Sequence, residues 1–215
     1  MLDAAFQEKV ATLYASYNEV IRPLISEIEA RQESFPTPLF NEIRAFNDHI
    51  ARCYLQKISK EKIVAELNKA EGHITRITLD CFKYLDVFLY EKILSFDKRT
   101  RNIDLTVLDN GQFFPVFSKL KKDTVISVRK AKQMESLDVY KSLDLYQLAY
   151  NQYCELEDKI DQKTAEINWL KVRFSVHRFL KLLLWVFAAM LSGMLSLFLT
   201  CDSVANFIKS FVGHF

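Results

Sequence analysis

Apolar residues recur along this chain at steps of three and four as far as residue 181, and then run for twenty positions without a charge. Steps of that size place side chains on one face of an α-helix. A first helix is expected over about residues 3–33, kinked or divided by Pro23. FPTPLF then supplies Thr37 as a cap and Pro38 at the first helical position. The second helix runs to about 57 with Leu39, Ile43, Phe46, Ile50 and Cys53 inward. Ser59 opens a third, with Lys62 where a capping box would want an acid, burying Ile63, Leu67, Ala70, Ile74, Ile77, Cys81 and Leu85. Residues 100–117 hold Asn110-Gly111 and Pro115 and read as a loop with a small hairpin, before a fourth helix over about 116–133.

Tyr146, Ala149, Tyr153, Leu156, Ile160, Lys163, Ile167, Leu170, Phe174 and His177 form a seam with a 3.5-residue period. No Gly or Pro interrupts residues 116–192, so one helix is expected from near Val139 into the apolar stretch. The fold class is therefore all-α: a helical bundle over 1–135, a long coiled-coil-like stalk over 136–181, a single transmembrane helix over 182–201 and an amphipathic tail over 202–215. Twenty helical residues span about 30 Å, the thickness of the hydrocarbon core.

Lys171, Arg173, Arg178 and Lys181 precede the span, whereas Asp202 and Lys209 follow it, which orients the N-terminal body toward the cytoplasm at a cell inner membrane. The N-terminal stretch has Asp3, Glu8 and Lys9 and no apolar core, unlike a secretory signal. Ala188, Ser192 and Ser196 form one ladder of small residues and Ala189 with Gly193 another, spacing that lets helices approach closely in lipid. Together with the seam residues Leu156, Ile160, Ile167, Leu170 and Phe174 they are the candidate surface for a homo-oligomer, although the seam fits the protein's own helices as well. In the tail, Val204, Phe207, Ile208, Phe211, Val212 and Phe215 recur at helical spacing, as an interfacial helix or a packing collar requires.

Four Gly and four Pro in 215 residues argue against barrels, sandwiches and phosphate-loop enzymes. Cys53, Cys81, Cys154 and Cys201 lack any CxxC pairing and suit a reducing compartment. The net charge of +2 hides a segregation. Lys98, Arg99, Arg101, Lys119, Lys121, Lys122, Arg129, Lys130 and Lys132 make residues 98–132 strongly basic between acidic neighbours. Such a patch meets RNA, anionic lipid or an acidic protein surface, or is matched internally by residues 133–170. Nothing indicates a small-molecule substrate, and no cofactor motif occurs. His49 with Cys53, facing His73 with Asp80 or Cys81, has the donor types of a zinc set, but without paired cysteines or HExxH no metal is assigned.

Two His-Ile-x-Arg strings, His49 to Arg52 and His73 to Arg76, lie 24 residues apart. Arg44 and His49 also have the Arg-x-x-x-x-His spacing of the HEPN superfamily, helical bundles that often cleave RNA at a site between two copies. On that resemblance Arg44 would hold phosphate and His49 would act as general acid or base. Ala45 departs from the family, which commonly has a polar residue there, and the motif lies early in the bundle. With the single span, the chain resembles the membrane accessory proteins of type VI-B CRISPR loci, which assemble in the membrane and strengthen antiviral defence by disturbing it. The resemblance implies an oligomeric antiviral effector that permeabilises the inner membrane alongside an RNA-guided nuclease, with Arg44 and His49 structural or vestigial. The alternatives are a membrane-tethered HEPN-type ribonuclease, the one enzymatic reading, and a tail-anchored adaptor that recruits a protein or RNA through the basic patch.

Overall fold

In a computed structural model the chain is described over residues 4–200 and 202–212. Cys201 and Phe215 lie outside the described residues. The elements are α1 (Ala4–Ser16), α2 (Arg22–Gln32), α3 (Thr37–Arg52), α4 (Lys60–Thr100), α5 (Phe113–Met134), α6 (Val139–Thr200) and α7 (Asp202–Val212). Among the described residues there is no strand, and the fold is all-α with one helix long and apolar enough to cross a membrane.

Pro23 acts as expected on the first helix, but by widening it. Proline cannot donate to the carbonyl one turn back and its ring presses on that carbonyl. The chain relaxes into a π-helical turn, Tyr17–Ile21, in which the Arg22 N–H reaches Tyr17 O. At α3, Pro36 takes the cap position and Thr37 the first helical one. Ser59 caps α4 as expected, its hydroxyl oxygen accepting the Lys62 N–H at 3.3 Å.

The loop before α5 contains no hairpin. Asp104 accepts the Thr106 N–H at 3.0 Å and starts a 3-10 segment, Leu105–Gly111. Asp109, Asn110 and Gly111 have φ of 49°, 53° and 91°, so the Asn-Gly signal turns the chain into a helix instead of between strands.

Helices α1 to α4 enclose one core, in which Leu39, Phe46, Ile50, Leu67, Ala70, Ile77, Cys81 and Leu85 are buried. The second core joins the far half of α4 to α5 and α6 through Leu89, Ile93, Phe96, Phe113 and Phe117. Here the seam meets its partner. Tyr153, Leu156, Ile160, Ile167 and Leu170 are buried against the chain's own α4, α5 and 3-10 segment, and Tyr146 and Ala149 are buried beside them. Residues 139–170 are thus a layer of the body, and the part of the stalk that stands clear of it shortens to 171–181, about 16 Å.

Candidate functional site

Helices α3 and α4 pack antiparallel, and their two His-Ile-x-Arg strings meet across the interface. The His49 and His73 rings stack with centroids 5.1 Å apart and planes 21° from parallel. Each ring is anchored by a glutamate of the opposite helix: His49 Nδ1 lies 2.6 Å from Glu66 Oε2 and His73 Nδ1 lies 2.7 Å from Glu42 Oε2. An ionised carboxylate only accepts, so each Nδ1 carries a proton toward its glutamate. Lys69 donates to Glu66 at 2.9 Å, Arg52 approaches the same carboxylate at 3.6 Å, and Arg76 approaches Glu42 at 3.4 Å. The hydrogen bonds from His49 first, then Lys69, pull the Glu66 carboxyl down to about 2.

Glu42 and Glu66 escaped the sequence reading, yet the signal was present. They lie 24 residues apart, as do the histidines and the arginines, so Glu-x6-His-Ile-x-Arg occurs twice. The buried positions follow the same offset: Phe46 with Ala70, and Ile50 with Ile74. Two copies of one pattern in an antiparallel pair produce a local two-fold arrangement, in which each copy's histidine reaches the other copy's glutamate.

Arg44 does not join this centre. Five helical residues advance about 500°, which leaves Arg44 and His49 roughly 140° apart around α3. Arg44 is exposed and has no ion pair among the described residues, whereas the His49 side chain is 14% exposed. The zinc set fails to converge as well: Cys53 Sγ donates to His49 O, Asp80 pairs with Lys83 at 3.7 Å, and Cys81 is buried in the first core. Among the described residues no three His, Cys, Asp or Glu side chains are grouped to hold a metal ion.

Eight of the nine basic-patch residues are exposed on the end of α4 and on α5, and Lys121 pairs with Asp97. Among the described residues none pairs with 133–170, where Glu135 pairs with Lys83 at 2.8 Å, Glu157 with Arg31 at 2.9 Å and Lys92 at 2.6 Å, and Glu155 and Glu166 with Lys159 and Lys163 of the same segment. The patch therefore keeps most of its charge for solvent or a partner.

Beyond Leu170, α6 leaves the body, and the apolar stretch from Leu182 to Phe198 is unburied. Nothing lies within 4 Å of where a Cβ would stand on Gly193, so one face there is open to a neighbouring helix. Phe207, Ile208 and Val212 of α7 are exposed. In comparisons with protein-family models, curated proteins and solved structures, nothing matches this chain.

Proposed function

We propose that this chain is a single-span membrane effector whose helical body faces the cytoplasm and whose spans assemble to disturb the inner membrane, in the manner of the antiviral accessory proteins it resembles. One observation carries the reading: α6 is core as far as Leu170, and from Leu182 to Phe198 it is bare helix without a charge. A helix with all its backbone bonds satisfied is one of the two structures that lipid tolerates. One span encloses no pore, so the activity requires several copies. With Leu156, Ile160, Ile167 and Leu170 already covered, their contacts fall to Phe174 and the ladder of Ala188, Ala189, Ser192, Gly193 and Ser196. The test is the mass of the detergent-solubilised complex by light scattering, corrected for bound detergent, with ion flux from vesicles carrying the protein. A discrete ring that leaks ions is expected; a monomer at every accessible concentration ends the reading.

The paired histidines favour a second reading, a membrane-tethered ribonuclease. Two imidazoles would supply a general base, through the Nε2 of one neutral ring, and a general acid, through the Nε2–H of the other ring in its protonated form, for phosphodiester cleavage, and Arg52 and Arg76 stand beside them for the developing charge. This differs from the HEPN expectation in using His73 instead of Arg44, and it needs no second copy. RNA cleavage lost in His49→Ala and in His73→Ala but kept in Arg44→Ala is the expected pattern. Cleavage that survives both histidine changes removes the catalytic role.

A further inference from the structure

Helices α4 and α5 both rest on α6 but part from each other along the middle of their length. At one end Lys83 Nζ holds Glu135 Oε2 at 2.8 Å. At the other, Phe96 and Phe117 pack with ring centroids 5.2 Å apart and Lys121 pairs with Asp97. Between these ties opens a cleft of about 570 Å³. That lies within the range of about 300–1,000 Å³ usual for small-molecule sites. Tyr146 and Tyr153 of α6, both buried, line it with Tyr90, Val87 and Val128, while Arg129 and Lys132 are exposed residues on its α5 side.

Asp86 lines this cleft at 4% exposure, and both its carboxyl oxygens lack a hydrogen-bond partner among the described residues. Buried carboxylates are ordinarily paired, and an orphan of this kind persists where something else supplies the donors. Each wall of the cleft narrows the choice. Two adjacent acceptors ask for two adjacent donors. Aromatic walls favour a flat ring, because every base has a π-face to stack. Arg129 and Lys132 make no ion pair among the described residues and favour an anionic group, which argues against a simple organic cation.

We infer that the cleft binds a guanine nucleotide, with the N1–H and N2–H edge of the base on Asp86, the ring against the tyrosines and the phosphates at Arg129 and Lys132. Guanine is the base whose pairing edge offers two neighbouring donors, and a carboxylate accepts both. The site shares no residue with the histidine centre and does not rest on the membrane reading. The groups facing Asp86 are Lys83 and Tyr90 on its own helix, Arg129 and Lys132 on α5 with Glu135 just past its end, and Tyr146 and Tyr153 from α6. Burial pushes the empty Asp86 carboxyl up to about 8. The guanine edge needs the ionised form, so binding releases a proton and affinity rises from about pH 6 to about pH 8 before levelling.

The test is calorimetric titration of the full chain in detergent micelles with GDP and GTP, against ADP, ATP, CTP and inorganic triphosphate. Guanine nucleotides should bind about tenfold or more tighter than the others. Asp86→Asn should remove that preference, and the exposed double variant Arg129→Glu with Lys132→Glu should weaken binding by about tenfold or more while leaving the helical fold intact. Three results would each overturn the inference: no guanine nucleotide bound up to about 1 mM, inorganic triphosphate bound as tightly, or guanine preference unchanged in Asp86→Asn.

Discussion

Glu66 and Asp86 are buried alike, at 5% and 4% exposure, yet burial acts on them in opposite senses. Glu66 receives hydrogen bonds from His49 and Lys69 and is lowered to about 2; Asp86 receives none and is raised to about 8. The lowered group stabilises the fold above its ordinary value near 4.5, and that contribution is lost as pH falls toward 2. The raised group works the other way: the fold is most favoured below 3.8, and the advantage is lost as pH climbs through 8. Glu66→Gln should therefore lower the Tm at pH 7, with the deficit shrinking as the buffer approaches about pH 2. Asp86→Asn should raise the Tm by about 3 °C or more at about pH 8.5 and by little near pH 4. Thermal melts across that pH series check both, and a Tm difference at Asp86 that ignores pH would show the carboxyl to be satisfied in solution.

At the scale of the helix, periodicity was a sound guide to which residues turn inward and a poor one to what they meet. Leu67, Ala70, Ile77, Cys81 and Leu85 are buried as their spacing predicts, and one helix does run from Val139 into the apolar stretch. A 3.5-residue seam looks the same whether its partner is another copy or the next helix of the same chain, and here Leu156 and Ile160 met α4 and α5. Spacing along one helix likewise brought Arg44 and His49 near in sequence but not in direction. His73 reached His49 through the packing of two helices, visible beforehand only as a 24-residue repeat. Leu156→Ala should destabilise the body by about 2–5 kcal/mol. Gly193→Leu, on open helix, should leave the body's Tm unchanged and reduce the mass of the complex. Melting and light scattering on the same samples separate the two; a Leu156→Ala that changed only the mass would return the seam to the subunit interface.

For the whole molecule, charge decides placement more than shape does. Glu135 and Glu157 are matched by Lys83, Arg31 and Lys92, the exposed cations of α5 make no ion pair with 133–170 among the described residues, and four further cations stand at the near edge of the apolar stretch. Replacing Lys171, Arg173, Arg178 and Lys181 with Glu should invert or scramble the orientation, as protease accessibility in spheroplasts would report. Unchanged accessibility would place control of the orientation elsewhere. The unbroken course of α6 has a mechanical consequence as well. With no Gly or Pro before Gly193, body and span form one beam, and no joint lies between them to absorb torque. From residue 171 to Thr200 the beam measures about 45 Å, so a 10° tilt of the body, about residue 171, sweeps its far end by about 8 Å. The load is carried by the packing of Tyr153, Leu156 and Ile160, and anything that wedges α4 from α5 above those residues steers the apolar end of the beam.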